Sequence, residues 1–145
     1  MRSSFLFFLL VMVTVIAVSG SCLAQTANYD VTIIADGKAL DLSQGIPAST
    51  KTIELTGQRT QKDLQQDSQL KPDVLIQKAT LTLARDTKKI CAINWPGKAS
   101  IANLFKEAKV GDRLMIQFED VELQTKQGQT QKIDDSKLVQ LTIKE

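Results

Sequence analysis

The chain has 145 residues, 43% of them hydrophobic and 23% charged, with a formal net charge of +2. Such a balance fits one packed domain and argues against nucleic acid as a partner. There is no histidine and there are only two cysteines, so metal sites lose their commonest nitrogen ligand and a thiol nucleophile loses its usual base.

At the N-terminus, Arg2 and Ser3-Ser4 precede an apolar run from Phe5 to Val18. The run is too short for an ordinary spanning helix and suits the hydrophobic region of a signal peptide. "SGSCLAQ" offers a cut after Ala24, and we expect residues 1–24 to be removed there. The alternative is a cut before Cys22, which would then carry lipid and anchor an outer-membrane lipoprotein. Export to the periplasm or the exterior follows from either cut, with no spanning helix in the mature chain and residues 25–145 forming one domain. Once Cys22 is removed or lipidated, Cys91 has no partner for an intramolecular disulfide.

Tyr29, Val31, Ile33 and Ala35 alternate with Asp30, Thr32 and Ile34, the period of a half-buried strand, and Asp36-Gly37 supplies a turn. "SQGIPAS" breaks the chain again, and "TKTIELTG" is a short strand ended by Gly57. "QRTQKDLQQDSQLKPD", residues 58–73, has only Leu64 and Leu70 as large apolar residues, so a mobile loop or exposed hairpin is expected there. Arg59 and Lys62 within it are candidate contacts for a partner.

Val74 to Ile93 reads as a hairpin. Its first strand sets Leu75, Ala79, Leu81 and Leu83 against Ile76, Lys78, Thr80 and Thr82, its polar turn is "RDTKK", and its second strand is "KICAINW". Cys91 there is expected as a small buried hydrophobe. Trp95 ends the hairpin as a core plug, with ligand stacking as its functional alternative. A helix of about two and a half turns, residues 100–110, is expected next: Ser100 caps it, Ile101, Leu104, Phe105 and Ala108 share a face, and Gly111 stops it.

In "KVGDRLMIQFEDVELQTKQGQ", Leu114, Ile116 and Phe118 point one way, while Val121 and Leu123 carry the apolar phase shifted by one residue. A β-bulge near Glu119-Asp120 reconciles the two halves. "KLVQLTIKE" supplies the last strand.

Glu119, Asp120 and Glu122 are expected on a solvated strand face rather than in the desolvated cleft that paired acid and base catalysis requires. Asp112-Arg113 reads as a turn, Asp112 accepting backbone amides and Arg113 pairing with it or with a nearby carboxylate. Asp134-Asp135-Ser136 lacks the spacing of a calcium cage and reads as a hairpin turn. The residues thus assign no catalytic group, cofactor or metal ligand.

The hairpin, the short capped helix, "KVGDRLMIQFEDVELQTKQGQTQKI" and the closing "VQLTIKE" together resemble the C-terminal domain of the gliding-motility-associated protein GldM family of Bacteroidetes. The family features fall on Ala79 to Leu83, Lys109 to Arg113, Ile116 to Gly128 and Leu138 to Lys144. The resemblance covers residues 74–145 well and 29–73 loosely. It implies a mainly β, immunoglobulin-like antiparallel β-sandwich that works in the periplasm by protein contact, within the gliding and type IX secretion machinery. Full-length relatives carry a transmembrane helix and several upstream domains, so only the fold and the habit of binding proteins carry over.

The expected function is therefore a non-catalytic exported module that contacts another cell-envelope protein. Trp95, Arg59, Lys62, Asp112 and Arg113 are its candidate contact residues. The alternatives are a small-molecule or glycan binder, which would expose Trp95 and Tyr29 together, and a small hydrolase using the strand carboxylates.

Overall fold

A computed structural model describes residues 28–134 and 136–145. The proposed signal segment and Cys22 lie outside the described residues. The described chain is mainly β, with nine strands in one curled mixed sheet.

β1 (Tyr29–Ala35) turns at Asp36-Gly37 into the short β2 (Lys38–Ala39). Both turn residues have positive φ, 47° and 80°, as a tight turn matching the strand twist demands. β3 (Ile46–Pro47) lies parallel to β9 (Leu138–Lys144), so the sheet is mixed rather than wholly antiparallel. Gly45 makes that approach feasible: its φ is +76°, and a Cβ there would stand 2.3 Å from the Thr142 carbonyl oxygen.

β4 (Ile53–Arg59) pairs with β1 and continues through Gly57 instead of ending there. Gly57 is an interior strand position kept bare because a Cβ would meet Val74 at 3.1 Å and Tyr29 at 3.6 Å. The expected loop at 58–73 is likewise replaced by structure. After Arg59 comes a helix, α1 (Gln61–Gln66), and β5 (Leu70–Arg85) begins at the buried Leu70. Thr60 caps α1, its hydroxyl accepting from the Asp63 N–H.

β5 and β7 (Arg113–Thr125) are the two long strands, antiparallel along most of their length. Each shares its other edge between two neighbours. β5 pairs β4 at Val74 and Asp73, and pairs β6 (Lys88–Asn94) from Thr80 onward. β7 pairs β9 over Arg113 to Gln117 and β8 (Thr130–Ile133) over Val121 to Gln124. β8 and β9 thus lie along the same edge of β7, and the turn expected at "DDS" includes Asp135, which lies outside the described residues.

The β5–β7 register shifts on both sides of Lys78, which is paired with Asp120. Ala79, Leu81 and Leu83 are buried beyond the shift and Val74 before it; on β7 the same break separates Leu114, Ile116 and Phe118 from Val121 and Leu123. The bulge anticipated near Glu119-Asp120 is thus matched by a second irregularity on β5. That second shift explains why Val74, and not Leu75, faces the core. Bulges bend strands and raise their twist, which suits long strands within a sheet that curls.

The curl brings distant segments together. Lys137 Nζ donates to the Tyr29 carbonyl and lies 4.1 Å from the centroid of its ring, joining the β8–β9 connection to β1. Ile101, Leu104 and Phe105 are buried at one end of the core. They share a face as their spacing predicted, but the helix is a single turn, α2 (Ala102–Phe105), not the two and a half turns expected over 100–110. Ser100 Oγ does accept from the Ala102 N–H, at 3.2 Å. Residues 106–112 leave the helix because other partners take their backbone. Lys109 N–H donates to the Asp112 carboxylate, Arg85 reaches the Glu107 carbonyl, and Gly111 takes φ +93°.

Candidate functional site

The double irregularity at Lys78 and Asp120 shapes the surface beside it. A cavity of about 310 Å³ there is lined by Lys78, Ala79, Asn94, Trp95 and Glu119. Trp95 follows β6: its backbone N–H donates to the Ala79 carbonyl at 2.8 Å, and its indole Nε1–H donates to the Ile53 carbonyl at 2.8 Å. Trp95 is half-buried and packs against the core, so the plug reading describes it, and the residue also belongs to the cavity lining. Glu119 is exposed, and its Oε1 accepts from the Thr80 hydroxyl at 2.5 Å. Lys78 and Asn94 are exposed at the rim. One cation, one anion, one amide and one aromatic therefore converge, with the aromatic and the carboxylate each held by a hydrogen bond.

The other candidate residues do not join this cavity. Arg59 is buried, with a side chain only 1% exposed, and it pairs with the Asp63 carboxylate through Nε. Its remaining donors go to the chain itself: NH1 to the carbonyls of Asp67 and Leu70, NH2 to that of Asp63. Arg59 is thus the internal tether of the 59–70 segment and offers nothing to a partner. Lys62, on α1, is exposed. Sequence reasoning missed Asp63, which sits in the first turn of α1 and reaches back to Arg59 at the end of β4.

Asp112 is likewise inward, 3% exposed. Arg85 grips it with both arms, Nε to Oδ1 and NH2 to Oδ2, each at 2.8 Å. The Arg85 guanidinium, helped by the Lys109 N–H and opposed by burial, holds the Asp112 carboxyl below the usual carboxylate range. Arg113 does not pair with Asp112; it donates to the Asp86 carbonyl across the β5–β6 turn. Arg59 with Lys62 and Asp112 with Arg113 thus fall toward opposite ends of β5, so the five candidates form no single site.

Asp120 pairs with Lys132 at 3.0 Å, which raises the Lys132 ammonium above its ordinary value. Cys91 is half-buried with its Sγ 3.8 Å from the Leu104 carbonyl, and burial pushes its thiol up. Tyr29 is 1% exposed, so it cannot share an exposed aromatic surface with Trp95. Among the described residues no cluster of three metal-ligating side chains occurs, and no helix is long and apolar enough to cross a membrane. No family model, curated protein or solved structure matches the chain.

Proposed function

We propose that the chain is a non-catalytic, exported module of the cell envelope that works by contacting another envelope protein. On this reading its curled sheet is a variant of the immunoglobulin-like β-sandwich implied by the resemblance to the GldM C-terminal domain. The supporting observation is how the charged groups are employed. Arg59, Asp63, Arg85 and Asp112 bind one another and their own backbone, and Asp120 pairs with Lys132. These groups hold the chain in shape.

β6 supplies the surface for contact. Among the described residues it pairs with β5 alone, and Ile90, Cys91, Ala92 and Ile93 along it are half-exposed. Trp95 N–H donates to Ala79, so the alternation of the ladder turns the Ala92 N–H away from β5. An edge of this kind accepts an added strand. Lys88 and Lys89 at its start limit indiscriminate pairing.

The test is cross-linking in intact envelopes, comparing wild type with Ala92→Pro. The proline removes an outward N–H and leaves the β5 ladder whole. A discrete adduct lost in the variant, at unchanged thermal stability, supports the reading. Equal adducts in both, or none in either, refute edge pairing. Mass measurement of the exported protein checks processing: a Gln25 start fits the cut after Ala24, and a lipid adduct on Cys22 marks the anchored form.

A further inference from the structure

We propose that the cavity beside the double bulge binds one neutral sugar unit of a glycan through Trp95 as its single aromatic, the buried Tyr29 having no part in it. Its walls specify the chemistry. Lys78 and Glu119 put one positive and one negative charge at the cavity, so a charged ligand meets attraction and repulsion together and a neutral one meets neither. Asn94 can donate and accept, Glu119 accepts and Lys78 donates, the mixture that vicinal hydroxyls match. Trp95, the aromatic residue of the lining, is of the type that covers the apolar C–H side of a pyranose ring.

Preorganisation strengthens the case. The indole is fixed by its bond to the Ile53 carbonyl, and the Glu119 carboxylate is fixed by Thr80. Neither has to be ordered by the ligand, which lowers the cost of binding. The fold itself sets the spacing: the register shifts at Lys78 and Asp120 adjoin Ala79 and Glu119, and bulges commonly re-aim side chains at sites. At about 310 Å³ the space sits at the small end of ligand pockets, enough for a single ring and too small for a long bound chain. An oligosaccharide would enter by one unit and leave the rest outside.

Trp95 is the chain's only tryptophan, so its fluorescence reads this site alone. The full chain is titrated with glucose, galactose, mannose and N-acetylglucosamine, and with oligosaccharides of each. Sorbitol serves as a polyol without a ring, and inorganic phosphate as an anion. The expected result is a saturable shift for at least one cyclic sugar, with a dissociation constant on the order of 1 mM and no response to sorbitol or phosphate. Glu119→Gln and Asn94→Ala, both at exposed positions, should each weaken binding about tenfold while the unliganded emission and melting temperature stay put. No saturable shift with any sugar overturns the proposal. So does a shift that both variants leave intact, or one that sorbitol or phosphate reproduces. The proposal does not depend on β6 pairing, so either can fail alone.

Discussion

Removing the Asp63 carboxylate tests whether the glutamine-rich segment is built structure or loose chain. In the native fold the Arg59 side chain is 1% exposed and that of Asp63 is 9% exposed. Asp63→Ala would leave a guanidinium buried beside three carbonyls that accept its hydrogen bonds and neutralise no charge. Breaking a buried pair from one side costs about 3–5 kcal/mol; the surviving carbonyl bonds place this case near the lower figure, about 3 kcal/mol. For a domain with roughly 5–15 kcal/mol of total stability, that is a large fraction and a melting point lower by on the order of 10 °C. The assay is urea unfolding, read as a lower midpoint at unchanged slope. An Arg59→Met, Asp63→Leu double variant buries no charge and should cost less than the two single changes summed, by at least about 2 kcal/mol of coupling. A loss below about 1 kcal/mol for Asp63→Ala would refute the argument, because a solvated loop would not register the change.

Two further outcomes follow from single contacts. Gly45→Ala should destabilise by at least about 2 kcal/mol in the same urea assay, because an L side chain at φ +76° is strained and its Cβ would meet the Thr142 oxygen at 2.3 Å; Gly37→Ala also has positive φ but meets nothing within 4 Å, and should cost less. Asp112 has a folded pKa below its unfolded one, so it contributes stability above the unfolded carboxylate pKa of about 4 that fades as pH falls through the folded value. Asp112→Asn should therefore lower stability at neutrality and flatten the loss as pH falls below the unfolded carboxylate value; an acid limb as steep as wild type would remove the Arg85 pair from the account.

Much of the sheet is legible in the residues because period two survives wherever one face is wet. β1, the later half of β5, β7 and β9 show it, β6 does not, and the phase slip after Phe118 locates the bulge. What escaped was fixed by partners remote in sequence. Composition makes residues 58–73 look unable to bury surface, yet one arginine at position 59 gathers carbonyls from Asp63, Asp67 and Leu70. The 100–110 helix fails for the reverse reason: its apolar spacing is sound, and a one-turn nucleus is costly, but Arg85 and Asp112 draw the following backbone into turns. β3 and β8, two and four residues long, are too short to leave a pattern.

The carboxylates of β7 show why one strand can carry different roles side by side. Asp120 sits at the shifted register and reaches Lys132; Glu119, one residue earlier, is exposed and turned to Thr80 and the Trp95 cavity. A strand in perfect register would separate these roles by simple alternation. Here a paired, half-buried carboxylate stands next to an exposed one at the shifted register. The Asp120–Lys132 pair, with its lysine largely exposed, adds modestly to stability there, and on the sugar-binding proposal recognition rests on Glu119 with Asn94 and Trp95. Changing Glu119 should then move ligand binding with little effect on unfolding, whereas Asp120→Ala should lower the urea midpoint slightly and leave ligand binding in place.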